Sequence, residues 1–411
     1  MTEITTQAPS KPDIGRFIRS NIRDYALLLS LLAIMVFFQF STGGILFKPV
    51  NMTNLILQNS YIVVMALGML LVIVAGHIDL SVGSVAGFIG AMAALMMTGT
   101  MPFYQGVLTG FKFDALTTGI ACVALGGLIG ALQGYFVAYY KIPAFIVTLA
   151  GMLIFKGLSL AVLGGSSVGP FPKEFQLLSS GFVPDIFTIS MFDGPFNLLA
   201  LIIGAAVTAI IVYFNIKERR EQQAHGLAEE PSVIFLGRNL LVAAAFLTFA
   251  FLMARYKGLP NVLIVMFTLI ALFVFITTRT TFGRRVYAMG GNEKAAKLSG
   301  INTERMTFFI FVIMGALAGL AGLIFAARLN VATPKAGLGF ELEVIAACFI
   351  GGAAVTGGVG KIIGAVIGAF IIGVMNNGMS ILGVGIDWQQ VIKGAVLMLA
   401  VFLDVYYKNK A

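Results

Sequence analysis

Apolar runs of about 20 residues, the length a helix needs to cross a bilayer core, recur along this chain with short polar breaks between them. They predict helices at 24–42, 60–76, 79–98, 116–140, 143–163, 197–214, 240–255, 261–278, 307–327, 341–356, 361–381 and 388–406. The run at 341–356 is short enough to be a broken or re-entrant helix. Three polar stretches interrupt the pattern. Residues 164–196 are rich in Gly, Pro and Ser. Residues 217–238, "KERREQQAHGLAEEPSVIFLGR", are highly charged and predict a short solvated helix extending the span before them. The third, "GGNEKAAKLSGI" at 290–301, is a helix in miniature lodged between two apolar segments. The layout is a tail at 1–23, a membrane domain at 24–406 and a tail at 407–411, with loops at 164–196, 215–239 and 279–306.

Composition agrees with that pattern. Of 411 residues, 59% are hydrophobic and only 11% charged, whereas soluble domains carry about 25% charged residues. The predicted fold is therefore an all-α polytopic membrane protein with roughly 10–12 transmembrane helices. A net charge of +9 raises nucleic acid as a partner, but the basic residues sit in short loops beside the apolar runs, so they are read as topology signals and no nucleic acid is expected. With the N-terminus inside, the cytoplasmic side collects Arg16, Arg19, Arg23, Lys141, Lys217, Arg219, Arg220, Arg279, Arg284, Arg285, Lys294, Lys297 and others, about 18 against 7 outside. Both termini are then cytoplasmic, as is the loop at 279–306, and 164–196 is external. Trp388, the only tryptophan, falls at the outer end of the last span. Cys122 and Cys348 lie inside apolar runs without metal-ligand spacing and are read as small core residues. Small residues four apart in "GGLIGALQG" (126–134), "GALAGLAG" (315–322) and "GAVIGAF" (364–370) predict close helix crossings.

The stretch at 292–300 has every helix signal in order. Asn292 is a good N-cap, Glu293 complements the positive end of the dipole and Gly300 is a natural stop. Ala295, Ala296, Leu298 and Ile301 form a narrow apolar edge, with Glu293, Lys294 and Lys297 around it. Lipid surfaces favour Trp, Phe and several leucines, so this thin edge suits a groove on a soluble protein better.

Other stretches narrow the chemistry. "VTGGVGKI", 355–362, is the nearest approach to a phosphate loop, but Val355 stands where its first glycine belongs and Ile362 where Ser or Thr would hold magnesium. It reads as a Gly-rich hairpin. In "GHIDLS", His77 and Asp79 sit at a tight hairpin or helix break, with Asp79 and Ser81 placed to cap the following helix. A neutral polar path through the membrane could use Asn59, Ser60, Gln133, Thr148, Asn376 and Asn377, the Asn376–Asn377 pair foremost. Lys156 and Lys393 lie in spans with no evident acidic partner at the same depth. An ion-coupled secondary transporter would need such titratable groups mid-membrane, and that alternative stays open.

"NEKAAKLSGI" resembles the cytoplasmic coupling loop of bacterial ABC importer permeases of the monosaccharide branch, the ribose, xylose and multiple-sugar type. Ala295, Ala296 and Gly300 match its Ala–Ala–three–Gly core, with Glu293 one residue further upstream than in the maltose type. "VAGHIDLSVGSVAG", 74–87, is similar to the branch's Gly–Gly–Ile–Asp–Leu–Ser–Val–Gly signature through Gly76, Asp79, Ser81 and Gly83, with His77 in place of the second glycine. "CFIGGAAVTGGVGKIIGAVIGA", 348–369, is also typical of the branch. The ribose-type permease is shorter, and the added material at 197–258 resembles the xylose and multiple-sugar permeases. The resemblance implies the pore subunit of an ATP-driven importer in the bacterial inner membrane. It also implies a homodimer, a separate ATP-binding subunit that holds ATP and magnesium, and a periplasmic sugar-binding protein. This chain would then carry no cofactor and make no covalent bond. Asn292, Glu293, Ala295, Ala296, Leu298 and Gly300 would couple to the ATPase. A non-sugar solute such as a branched-chain amino acid remains the alternative cargo.

Overall fold

The computed structural model describes residues 22–99, 112–191, 194–225 and 231–408. In chain order the elements are α1 (Ile22–Ser41), α2 (Pro49–Val74), α3 (Val82–Thr98), α4 (Ala115–Ala138), α5 (Ala144–Leu163), the short α6 (Lys173–Gln176) and the strands β1 (Thr188–Met191) and β2 (Gly194–Asn197). Then follow α7 (Leu198–Ala224), α8 (Ser232–Ala254), α9 (Asn261–Arg279), α10 (Thr281–Gly291), α11 (Glu293–Leu298), α12 (Thr303–Leu329), α13 (Phe340–Ile350), α14 (Ile362–Ile381) and α15 (Ile386–Lys408). Among the described residues, α2, α4, α5, α7, α8, α9, α12 and α14 are each long and apolar enough to cross a bilayer, and α3 is a shorter apolar helix. The chain is an all-α polytopic membrane protein. Most of the two predicted tails lies outside the described residues.

Several boundaries differ from the pattern for physical reasons. α2 starts at Pro49, well before residue 60, because Asn51, Asn54 and Gln58 dilute the apolar run without breaking the helix, and Pro suits a first helical position. The run at 341–356 does not span: α13 has 11 residues, about 16 Å of helix against a core of about 30 Å. Its apolar content reflects burial in protein, with Val344, Ile345, Ala346, Ala347 and Cys348 all inside. The 164–196 loop holds α6 and a strand pair, β1 antiparallel to β2 with Ile189 opposite Phe196, which the expectation of helices alone missed. The charged extension is as predicted: α7 runs on to Ala224, with Lys217 and Glu221 paired one turn apart at 3.9 Å.

The chain forms two compact units. Among the described residues, one is built on 184–259 with 47–52 and 22–29; the other holds 30–46, 53–183 and 260–408. Inside the larger unit α12 is the hub. A Cβ at Gly126 of α4 would overlap the Gly315 carbonyl of α12, one at Gly130 the Phe311 carbonyl, and one at Gly322 the Ala86 carbonyl of α3. α13 and α14 cross as closely at Gly351 against Gly364 and at Gly368 against Ala347. All three predicted small-residue stretches thus lie at crossings where only a missing side chain lets backbones meet. Cys122 and Cys348 are buried there, their thiols near the Ile89 and Ala66 carbonyls. Inside the smaller unit α7 pairs with α8 through Gly204 against Ala250 and an Asn215–Asn239 side-chain hydrogen bond of 2.9 Å.

Candidate functional site

The miniature helix forms as its residues dictate. Asn292 Oδ1 accepts the Ala295 N–H at 3.0 Å and opens α11. Gly300, at φ +83°, closes it: its N–H donates to Lys297 O at 3.1 Å, and the Ile301 N–H donates to Ala296 O at 3.1 Å. That pair is a Schellman stop, which needs a left-handed residue and here has glycine. Asn302 then caps α12 by accepting the Arg305 N–H at 2.8 Å. The expected docking edge is divided. Ala296 is buried against its own chain, whereas Leu298 stands 90% exposed and Ala295 beside it is exposed too. A helix this short turns one apolar residue inward to seat itself, so the outward contact falls to Leu298. Lys297 bonds to Glu304, whose carboxylate holds the Lys297 ammonium above its usual range. Lys141 from the α4–α5 turn also reaches Glu304, at 3.3 Å.

Behind α11, the three stretches singled out in the sequence meet. α2 ends in its own Schellman stop, with Gly76 at φ +83° and the His77 N–H donating to Val72 O at 2.9 Å. The free Val74 carbonyl accepts the Gly358 N–H at 2.8 Å. Gly358, at φ +75°, sits on a hairpin closed by Ala354 N–H to Val359 O at 2.9 Å. A Cβ at Gly290 of α10 would overlap the Val74 carbonyl, and Tyr287 Oη donates to Gly360 O at 2.6 Å. The Gly-rich hairpin is thus an adaptor between α2, α10 and α13, with no strand before it and its glycines used for close approach. Tyr287, Gly290 and Gly358 were not anticipated as site residues. Their only signal was glycine density in two stretches that the chain keeps far apart in sequence.

Between α2 and α3 the backbone is non-helical from Ala75 to Ser81. Asp79, 2% exposed, accepts both the Ser81 N–H at 2.8 Å and the Ser81 Oγ–H at 2.7 Å. Gln133 Nε2 on α4 donates to Ser81 Oγ at 2.9 Å. The predicted cap at Asp79 is therefore a local turn tied to α4, and Ser81 itself makes no side-chain cap bond. Gly83 fits against the Gly337 carbonyl, and His77 lies 6.0 Å from the Phe311 ring. Asn59 is buried, with Nδ2 donating to Ala369 O of α14 at 2.8 Å, and Thr148 donates to Ala144 O at 2.9 Å. Ser60 donates to Leu57 O at 3.0 Å within its own helix. Asn59 and Gln133 are clamps between helices in this structure.

Asn376 has different company. It is half-buried on α14, and its Nδ2 donates to Glu343 Oε1 of α13 at 3.1 Å. The same oxygen accepts from Lys393 Nζ of α15 at 2.7 Å, with both charged side chains about five-sixths buried (13% and 16% exposed). Lys393 therefore does have an acidic partner, contrary to the sequence expectation. The two are 50 residues apart, so no local spacing announces the pair; counting the few acids inside apolar runs could have. Asn376 Oδ1 is buried with no hydrogen-bond partner, and Asn377 is buried beside it.

Residues 51–401 match the family described as "Branched-chain amino acid transport system / permease component". The chain is 37% identical over 410 residues to the xylose transport system permease protein XylH of Escherichia coli (strain K12), covering 100% of this chain and 98% of that protein. The XylH protein of Haemophilus influenzae is 39% identical over 390 residues, covering 95% and 98%. The ribose import permease protein RbsC of Escherichia coli (strain K12) is 32% identical over 354 residues, covering 86% and 85%. No solved structure matches the chain.

Proposed function

Because this chain belongs to the permease family of bacterial sugar ABC importers, we propose that it is the translocation subunit of an ATP-driven xylose importer of the inner membrane. Xylose is favoured over ribose because the xylose permeases match at 37% and 39% identity, against 32% and 30% for ribose permeases, one of which also covers 97% of the chain. The relatives' printed cargoes, xylose and ribose, favour a sugar over a branched-chain amino acid, despite the wording of the family description. The observation that carries the coupling role is α11: a fully capped helix with Leu298 90% exposed, following directly on the helix that makes the Gly290 junction. That shape suits insertion of one apolar residue into a groove of a soluble ATPase.

In this reading α11 and both termini face the cytoplasm, as the basic residues direct. Two copies flank the sugar path, a binding protein delivers xylose from the periplasm, and ATP binding in the partner drives alternating access. This chain binds no nucleotide; ATP and magnesium belong to the partner. Asn376, with Glu343 and Lys393, offers xylose hydroxyls both donors and acceptors, while Asn59, Gln133 and the Asp79 turn hold the helices around it. The family argues against the ion-coupled alternative, although Glu343–Lys393 supplies the paired titratable groups that it would need. Reconstitution tests the energy source. Proteoliposomes with the ATPase and the binding protein should take up xylose on ATP with the proton gradient collapsed. Gradient-driven accumulation by the lone chain overturns the reading.

A further inference from the structure

The Gly-rich hairpin is the one sequence stretch that neither coupling nor pathway explains, and it lies between them. At its start is α13, only 11 residues long and buried along Val344–Cys348, hence a rigid rod of about 16 Å. At the end of that rod, Gly351 crosses Gly364 of α14 with no room for a Cβ, and the hairpin runs on to Gly358 and Gly360. These two are held by the Val74 carbonyl at 2.8 Å and by Tyr287 of α10 at 2.6 Å. α10 in turn leads directly into α11 through Asn292. The links are backbone-to-backbone or one short hydroxyl bond, with no flexible side chain to absorb a displacement; packed interiors of this kind transmit strain.

The other end of the rod is held as well: Gly337 is wedged against the Gly83 carbonyl, and Phe340 packs on Tyr61 and Phe325. Gly339, at φ +80° with nothing within 4 Å of where a Cβ would stand, precedes Phe340. One turn later Glu343 grips Lys393 of α15 and Asn376 of α14. A rod gripped at both ends moves as one body, so displacement at the coupling loop arrives at the Glu343 cluster.

We propose that α13 with the 351–361 hairpin is a lever: movement of α11 reaches the Glu343–Lys393–Asn376 cluster through Tyr287, Gly290 and Gly358, and opens or closes that cluster to the sugar. This rests on the coupling role of α11 proposed above. Tyr287, Gly290 and Gly358 are then positioning residues for transport, acting through the rod.

The test uses the full complex, with the ATPase and the binding protein, in proteoliposomes. Spin labels at Leu342 on α13 and Val391 on α15, both exposed, report the separation of the two helices with and without a non-hydrolysable ATP analogue. In the otherwise unchanged chain the distance should shift on adding the analogue. Tyr287→Phe removes one hydroxyl and no packing volume. Losing one hydrogen bond of ordinary strength should reduce xylose moved per ATP hydrolysed about fivefold and shrink the shift. Gly290→Ala, if it folds, should remove both. In each variant the ATPase should stay bound and hydrolyse ATP, which a merely unfolded chain would not allow. A full shift with unchanged xylose-to-ATP ratio in Tyr287→Phe overturns the lever, as does the absence of any shift in the unchanged chain. Failure of the ATPase to bind the unchanged chain is a separate result, and it would remove the coupling assignment itself.

Discussion

α2 and α7 are both long enough and apolar enough to span a bilayer, but they live differently. Of its most apolar window, α2 has 89% buried inside the protein and α7 only 11%. Hydropathy brings a helix into the membrane; it does not say whether protein or lipid surrounds it there. The difference follows from small residues and the partners they admit. Gly68 of α2 packs on Met314 and Leu317 of α12, and Asn59 clamps α14, so α2 is enclosed. Among the described residues α7 meets α8 at the close approach of Gly204 to Ala250 and through two side-chain hydrogen bonds, Asn215–Asn239 and Arg219–Ser232. The enclosed helices of the larger unit carry the family's motifs, whereas the α7–α8 pair carries none of them.

The largest effect expected from this contrast is in the α4–α12 crossing. Gly130→Leu places a side chain where the Phe311 carbonyl already stands. Overpacking usually costs about 1–3 kcal/mol, and more where backbone must move, so the protein should fail to accumulate in membranes. Normal amounts of protein with normal uptake would refute the geometry of the hub.

Next is the ion pair. Glu343→Gln leaves the Lys393 ammonium buried without a counter-charge, a loss of about 3 kcal/mol by membrane-insertion scales. Adding Lys393→Met should recover most of the lost stability, since removing both charges leaves nothing unpaired. The double variant should still transport poorly, because the sugar loses its polar contacts. Thermal melting in detergent measures the first outcome and xylose uptake the second. Equal stability of the single and double variants would show that the charges do not interact.

Coupling comes third, with a loss of function and little loss of stability. Leu298→Asp puts a charge on a residue already 90% exposed, so folding should be unaffected, while the ATPase should no longer copurify. Lys294→Ala should retain it. Ala296→Asp would test something else, since that side chain is buried within its own chain. An ATPase that copurifies equally with Leu298→Asp would move the docking surface elsewhere.

How much of this could be read from the chain depends on the range of the interaction. Apolar length, the caps at Asn292 and Gly300 and the four-residue spacing of glycines are local, and they appear in the structure where the sequence put them. The full extent of α2 was hidden because polar Asn51, Asn54 and Gln58 lower local hydropathy although they stay helical. The run of α13 stood among the apolar runs because burial in protein and burial in lipid select the same residues, and only its shortness pointed to a broken or re-entrant helix. The Glu343–Lys393 pair and the Val74–Gly290–Gly358 junction join positions tens to hundreds of residues apart, and nothing within a window records them. Even the local helix was only half legible. Its apolar edge could be seen, but which member faced inward depended on what α11 rests upon.

The smallest effects should come from the α7–α8 pair, and here two glycines separate packing from exposure. Gly204 of α7 faces Ala250 so closely that a Cβ would overlap the Ala250 methyl. Gly237 of α8 has nothing within 4 Å of the same position. Gly204→Leu should therefore separate α7 from α8 locally and lower the melting temperature by a few degrees. Gly237→Leu should leave packing untouched and slightly favour the helix, since glycine costs about 1 kcal/mol in a helix interior. Neither should change xylose uptake per molecule inserted, because none of the coupling or cluster residues lies on these helices. If Gly204→Leu abolishes uptake while protein levels hold, the pair has a working role, and the contrast drawn between α2 and α7 is wrong. Should Gly237→Leu alone do so, the exposed face of α8 is covered by a partner in the assembled transporter, and α8 would belong with α2 after all.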